Sequence, residues 1–541
     1  MADPSSRRSP WFLLALLCLA VFTINVDTTI VNVALPAFVR DLRTDTRELQ
    51  WIVDAYNLAF AALVLAFGSL GDRFGRRGML VAGLVLFALA TTAGALVDTP
   101  AQLIAVRAVM GVGAAMIYPT TLSILTNVFT ERGPRAVAIG IWGGVTGLGV
   151  AFGPIVGGWL LTHYWWGSVF LAMAPPAALA AALAAATLPT SRDPATPPLD
   201  VPGLGLSSLA IGALVWTIIE APDQGWTSPR SLAGWLLAAL LATALIVRER
   251  RVAHPMIDVR LFTNLRFSAA SGAVTIAFFN LFGFIFLVTQ YFQFLRAYSA
   301  FETGLRLTPV AVSIAGGSVL GTRLAVRIGT RRVVAGGLLL LAVAYAWIST
   351  LSTTTGYPEI AVQMVLLGGG LGLTSAPATE AIMGVVPAAK AGIGSAVNDA
   401  TRQVGGTLGV AVIGSVFASL YHHGLAGLGG AVPPSAVGAA RDSVGAALAT
   451  AAELAAAGHT DQAVTLAAVA SAAFYDGLRA GCLLAAVVSG LAALAVLRLL
   501  PDHPASSAGE PPVPGDAAGE VDLARRAGDR AGLDLPTQQP K

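Results

Sequence analysis

Long apolar segments recur along the chain, and short segments rich in charged residues, proline or glycine separate them. A helix needs about 20 mainly apolar residues to cross a bilayer, and backbone groups in lipid must be satisfied within a helix or a closed barrel. The pattern therefore predicts fourteen membrane-crossing helices. Their predicted ranges are 11–35, 50–70, 78–97, 102–125, 136–160, 167–188, 201–220, 231–248, 268–291, 303–325, 333–352, 359–381, 394–419 and 472–498.

Composition favours an integral membrane protein and excludes a soluble one. Of the 541 residues, 55% are hydrophobic and 12% are charged, whereas soluble domains carry about 25% charged residues. The mean hydropathy is +0.72. A net charge of +3 is too small to indicate nucleic-acid binding. Both cysteines, Cys18 and Cys482, lie in apolar segments, so no disulfide framework is expected.

Basic residues between the predicted helices set the orientation, because cytoplasmic loops carry an excess of arginine and lysine. With the N-terminus in the cytoplasm, eighteen basic residues lie inside and six lie outside. The six outside are Arg40, Arg43, Arg47, Arg230, Arg296 and Arg441. The sequence thus predicts a multi-pass protein of the plasma (inner cell) membrane with both termini in the cytoplasm.

The predicted helices divide into two six-helix halves with two extra helices between them. The predicted segments are a cytoplasmic N-terminus at 1–10, an N-terminal half at 11–188, two extra helices with cytoplasmic linkers at 189–265, a C-terminal half at 266–499 with an external loop at 420–471, and a disordered cytoplasmic tail at 500–541. Similar loops containing Gly75 and Gly329 support the repeat. Transporters are commonly built from such repeats, with the substrate site between them.

Three charged residues lie in the outer halves of predicted helices: Asp27 in the first, Asp54 in the second and Arg107 in the fourth. Charges inside a bilayer are expensive and mark function by default, so the three are expected to face one cavity and to couple protons or bind substrate. The alternative is a structural ion pair, such as Asp27 with Arg107. Glu380, deep in the twelfth helix, is either a further proton or substrate site or a charge at the inner interface.

Two glycine-rich patterns are candidate mechanical elements. The loop after the second helix is a candidate gate, in which glycines permit a tight turn; the alternative is a basic loop that only fixes orientation. In the fifth helix, small residues four apart allow another helix to approach closely, and a proline bends the helix. The gating residues are Gly68, Gly71, Asp72, Arg73, Gly75, Arg76 and Arg77, and the fifth-helix residues are Gly149, Gly153, Pro154, Gly157 and Gly158.

Taken together, these patterns resemble the major facilitator superfamily, and within it the fourteen-span drug:proton antiporters. The matching segments are 68–80 for the loop signature, 27–36 for the first helix, 51–56 for the second, Arg107 with Gly111 and Gly113 for the fourth, and 149–158 for the antiporter motif of the fifth. The resemblance covers residues 11–500. It implies a major-facilitator-like, all-α bundle in which the fifth helix favours antiport by limiting leak.

The chain has no Gly-x-x-x-x-Gly-Lys-Ser/Thr pattern for binding ATP phosphates, so a gradient is expected to supply the energy. We expect a secondary transporter that exports small lipophilic, often cationic drugs or antibiotics in exchange for protons. The alternatives are a proton-coupled importer of a small nutrient and a non-transporting membrane sensor or intramembrane enzyme. No metal-ligand spacing or nucleophile–base pair occurs, so no metal, cofactor or enzymatic activity is expected. The expected partners are a small molecule, protons and the bilayer, without nucleic acid, and the chain is expected to be a monomer.

Overall fold

The computed structural model describes residues 9–129, 131–189, 200–252, 259–385, 391–428 and 430–501. Within these ranges the chain forms eighteen α-helices and no β-strand. The helices are α1 (Pro10–Leu42), α2 (Thr46–Phe74), α3 (Arg76–Gly94), α4 (Pro100–Val128), α5 (Arg132–His163), α6 (Ser168–Leu171), α7 (Ala174–Thr187), α8 (Val201–Gln224), α9 (Pro229–Arg251), α10 (Leu265–Gln290), α11 (Ala300–Arg306), α12 (Thr308–Ile328), α13 (Thr330–Ile348), α14 (Tyr357–Met383), α15 (Ala391–Gly424), α16 (Pro434–Asp442), α17 (Val444–Ala456) and α18 (Thr460–Leu499).

Twelve helical stretches in the described ranges are long and apolar enough to cross a membrane. In this count α6 and α7 form one stretch, as do α11 and α12. The number is two fewer than the sequence pattern predicts, and the difference is α2 and α5, which form helices where crossings were predicted. The protein is therefore an all-helical, multi-pass membrane protein.

Most helix contacts fall within two groups of helices. In the first group α1 packs on α5, α2 on α4, and α3 on both α4 and α7. In the second, α10 packs on α15, α12 on α14, and α13 on both α14 and α18. The extra helices α8 and α9 pair with each other, and α8 also packs on α2 and α15. The extra helix α8 thus packs on helices of both groups.

Several observed boundaries differ from the predicted ones. The last long helix begins at Thr460, twelve residues before the predicted start at 472, because helix-forming, alanine-rich sequence extends beyond the apolar segment. The predicted external loop at 420–471 is largely helical, since α15 continues to Gly424 and α16 and α17 follow. The tail predicted to be disordered lies almost entirely outside the described residues, as do residues 1–8.

An ion pair fixes the far end of the α8–α9 hairpin. Asp200 precedes α8, and its carboxylate accepts a hydrogen bond from the backbone N–H of Gly203 at 3.0 Å. Arg248, near the end of α9, donates to the same carboxylate from Nη2 at 2.6 Å. Burial opposes ionisation, but these donors hold the pKa of Asp200 below its usual value. The pair therefore ties the two extra helices together as a unit.

Candidate functional site

A buried ion pair joins α1 to α4. The Nη1 atom of Arg107 donates to Asp27 Oδ2 at 2.7 Å, and the two side chains are 1% and 0% exposed. Arg107 Nε donates to the carbonyl oxygen of Ile52 at 3.1 Å, and its guanidinium lies 4.3 Å from the centre of the Tyr56 ring. The other Asp27 oxygen, Oδ1, has no hydrogen-bond partner in the described part of the chain. The cation, which is carried by α4, thus contacts α1 and α2, while the Asp27 carboxylate keeps one oxygen without a partner.

Asp54 does not join this pair, although the sequence suggested that all three charges face one cavity. It lies on α2 and is fully buried, and neither carboxylate oxygen has a hydrogen-bond partner among the described residues. The arginine is instead held by Ile52 and Tyr56, two residues of α2 that sequence reasoning did not assign to the site. Tyr56 belongs to the 51–56 segment that matches the family pattern, but nothing in the sequence places it against Arg107.

Glu380 lies apart from the ion pair. It is exposed and stands three residues before α14 ends at Met383. No ion pair between it and another described residue is present. Both roles considered for Glu380, a proton or substrate site and a charge at the inner interface, stay predictions.

The loop between α2 and α3 is a single-residue turn at Gly75, whose φ is +125°. Gly71 allows close packing, since a Cβ there would lie 2.9 Å from Thr120 Cγ2. Arg77 donates a hydrogen bond to the carbonyl of Ala185, and Arg73 is exposed. Gly68 packs against Pro119, and Arg76 is half-buried, while the side chain of Asp72 lies outside the described residues. Gly329, with φ of +92°, makes the equivalent turn between α12 and α13.

We expect Gly75→Ala to destabilise the protein, because residues with a side chain rarely adopt this backbone conformation and the strain costs about 1–3 kcal/mol. A lower melting temperature of the purified protein in detergent measures the effect. Gly78→Ala is the matched control, since a Cβ at Gly78 meets no described atom within 4 Å. Equal melting temperatures for the two variants would contradict a strained turn at Gly75.

The glycines of α5 allow it to pack tightly on α1, as their spacing predicts. A Cβ at Gly149 would lie 2.7 Å from Asn25 Cβ. One at Gly153 would lie 2.8 Å from the Val26 carbonyl oxygen, and one at Gly157 would lie 2.5 Å from Ile30 Cγ1. The α1 residues in this contact flank Asp27. The turn of α1 that carries the buried carboxylate is therefore the turn on which α5 packs.

A different face of α5 contacts the second group of helices. A Cβ at Gly158 would lie 2.5 Å from Phe301 Cα, at the start of α11, and closer still to the Ala300 carbonyl oxygen. Gly304 of α11 lies against the backbone of Pro154. The sequence pattern of α5 includes Gly158 but does not identify its partner, because the short helix α11 lies about 140 residues further along the chain.

Other contacts between the groups occur at the same end of the bundle, which contains the turn at residues 43–45; we call it the α1–α2 end. Gln293 Nε2 donates to the Val33 carbonyl at 2.8 Å. Thr46 Oγ1 donates to the Asp442 carbonyl at 3.2 Å. A Cβ at Gly445 would lie 3.0 Å from Val39 Cγ1. The two groups are thus in contact across the α1–α2 end.

Two groups of membrane-crossing helices in contact at one end, with an ion pair buried inside the bundle, are the arrangement expected of a membrane transporter. Residues 17–410 match the sequence profile of the Major Facilitator Superfamily. The chain belongs to this superfamily. The superfamily consists of transporters, which confirms the expectation that the protein is not an enzyme.

Individual relatives are named as drug-export proteins. The chain is 36% identical over 502 residues to the multidrug efflux pump LfrA of Mycolicibacterium smegmatis, covering 91% of this chain and 97% of LfrA. It is 36% identical over 417 residues to the tetracenomycin C resistance and export protein of Streptomyces glaucescens, covering 76% and 77%. A bacterial homologue of the human lysosomal transporter Spinster, solved in an inward-facing conformation, shares the fold with a TM-score of 0.64, 17% identity and coverage of 94% and 100%.

Proposed function

We propose that this protein exports small lipophilic, often cationic drugs or antibiotics and takes up protons in exchange. The names of LfrA and of the Streptomyces glaucescens protein support drug export. The observation that carries proton exchange is the Asp27–Arg107 pair, because its carboxylate has one oxygen free to receive a proton. Protonation ends the ion pair, since arginine stays charged at any physiological pH.

The ion pair has a mechanical path to the contact between the halves. Asp27 holds Arg107 of α4, while its neighbour Val26 lies against Gly153 of α5. The same helix α5 meets α11 of the other half at Gly158. Neutralising Asp27 removes the charge that ties α1 to α4, and α5 transmits the resulting movement to the contact at α11. The Gly75 turn and its cationic neighbours form the gate at the opposite end.

The proposed topology has fourteen crossings. Helices α2 and α5 have 29 and 32 residues, which at 1.5 Å per residue exceed the roughly 30 Å core of a bilayer. With these two added, six crossings precede α8 and six follow α9. Both termini are then cytoplasmic, the α1–α2 end faces outward, and the structure is closed to the outside. The unit of transport is a single chain.

Inside-out membrane vesicles test this function. An acid interior drives accumulation of the lipophilic cation tetraphenylphosphonium, and nigericin, which exchanges protons for potassium, abolishes it. An importer that moves its solute together with protons requires the opposite gradient. Accumulation that persists after pH and voltage differences are collapsed, or that needs an alkaline interior, would overturn the proposal.

A further inference from the structure

Helices α2 and α15, one from each half, pack against each other along their length, and we call this contact the seam. The position of Gln50 shows which face of α2 lies in it. Its Nε2 atom lies 3.4 Å from the carbonyl oxygens of Val410 and Ala411. The opposite face of α2 is covered by α4, since a Cβ at Gly111 would lie 3.0 Å from Ala59 Cβ. The face of α2 that carries Gln50 therefore points towards α15.

Asp54 and Asn57 lie four and seven residues after Gln50 and so share its face. On α15, Thr407 lies four residues before Ala411 and seven before Gly414, and a Cβ at Gly414 would meet the Gln50 side chain. The helices are antiparallel, since α2 begins and α15 ends at the α1–α2 end. One turn deeper than Gln50, the seam thus brings Thr407 beside Asp54 and Asn57.

These three side chains are buried and lack hydrogen-bond partners within the described part of the chain. The atoms without a partner are both carboxylate oxygens of Asp54, both polar atoms of the Asn57 amide and the hydroxyl oxygen of Thr407. By contrast, the buried hydroxyl of Thr374 donates to the carbonyl oxygen of Gly370 on its own helix, and Asn280 Nδ2 donates to the carbonyl oxygen of Ile276, although Asn280 Oδ1 also lacks a partner. Because an unmade hydrogen bond is costly in an apolar interior, polar groups held open here point to a ligand.

Helix α8 covers the seam on one side with apolar residues. Ile218 and Ile219 pack in one cluster with Ala411, and Trp51 and Leu408 border it. The extra helix α8 therefore separates this part of the seam from lipid on that side.

We propose that Asp54, Asn57 and Thr407 form a hydrogen-bonding site for the protonated amine of a transported compound. The inference rests on the proposed export function. An ammonium group presents up to three N–H donors, which match the Asp54 carboxylate, the Asn57 carbonyl oxygen and the Thr407 hydroxyl oxygen. A phosphonium or quaternary ammonium ion has no N–H and gains only charge attraction from Asp54. The site thus distinguishes protonated amines from other lipophilic cations.

Equilibrium binding to the purified full chain tests this preference with two probes: doxorubicin, which carries a primary ammonium group, and tetraphenylphosphonium, which has no donor. We expect Asn57→Leu and Thr407→Val each to weaken doxorubicin binding about tenfold, the cost of one hydrogen bond to a charged group. Tetraphenylphosphonium binding stays unchanged. Thr407→Ser keeps the hydroxyl and retains doxorubicin affinity. Thr374→Val is the matched control for a buried threonine outside the seam.

Unchanged doxorubicin affinity in both variants would overturn the site, as would equal losses for the two probes or the absence of doxorubicin binding to the wild type. Melting temperatures of the variants show whether a loss reflects unfolding. The export function is read separately, from proton-driven movement of tetraphenylphosphonium by the wild type. If that movement is absent the export function fails, whereas a failed probe preference with intact movement removes only the amine site.

Discussion

Asp27→Asn is expected to abolish acid-driven accumulation of tetraphenylphosphonium in inside-out vesicles. An amide cannot carry the exchanged proton, so the gradient no longer does work on the substrate. One charge moving across 100 mV is worth about 2.3 kcal/mol. A proton gradient equivalent to about 150 mV therefore supports a concentration ratio of roughly 300 for one exchanged proton, and the variant should fall to the ratio of vesicles without the protein.

The variant should still fold. Removing one partner of a buried ion pair costs about 3–5 kcal/mol when it leaves an uncompensated charge, but the asparagine oxygen can still accept from Arg107, and Ile52 and Tyr56 also hold the guanidinium. Asp98→Asn, at an exposed position between α3 and α4, is the matched control. Normal acid-driven accumulation by the Asp27→Asn protein would show that this carboxylate does not couple transport to protons.

Gly158→Ala is expected to have the second large effect, because it separates α5 from α11. The added Cβ meets backbone atoms of Ala300 and Phe301, which cannot rotate away. Overpacking typically costs about 1–3 kcal/mol, which changes the balance between two conformations by roughly 5- to 150-fold. We expect the outward-closed state to lose population and transport to fall accordingly.

The change in conformation can be measured by labelling a cysteine placed at the buried α11 residue Thr303 with a membrane-impermeant maleimide. The native Cys18 and Cys482 are both buried, so their background labelling is low. We expect faster labelling when Gly158→Ala is added and no change when Gly144→Ala is added. A Cβ at Gly144, on the same helix, meets no described atom within 4 Å. Identical labelling in both backgrounds would show that the α5–α11 contact does not hold this end closed.

The sequence predicted the placement of the long helices well, because bilayer thickness sets their length and lipid excludes charge from them. The described residues contain twelve candidate membrane-crossing stretches, whereas the sequence pattern predicted fourteen. It also predicted that α5 approaches another helix closely, since Gly149, Gly153 and Gly157 fall on one helical face. It could not identify α1 as that partner or assign Gly158 to α11. Those contacts join residues far apart in the chain. Helical periodicity shows which residues share one face of a helix, but it does not show which other helix packs on that face.

The sequence grouped three charges, whereas the structure pairs only two of them, Asp27 with Arg107, for a related reason. Asp27, Asp54 and Arg107 lie at similar predicted depths, but depth alone does not give rotation about the helix axis. Since α4 packs on the Ala59 side of α2, Asp54 points away from Arg107 and towards α15. The helix breaks between α6 and α7 and between α11 and α12 were also missed, because hydropathy continues through them.

Proton release on substrate binding tests the central claim most directly. Tetraphenylphosphonium is added to the purified protein in weakly buffered solution, and a pH-sensitive dye records protons released across a series of starting pH values. We predict release by the wild type at pH values where Asp27 is protonated, and a smaller release by Asp27→Asn, in which only Asp54 is left to exchange a proton for the bound cation. Substrate binding without proton release at every pH, or equal release by both proteins, would contradict exchange at this carboxylate.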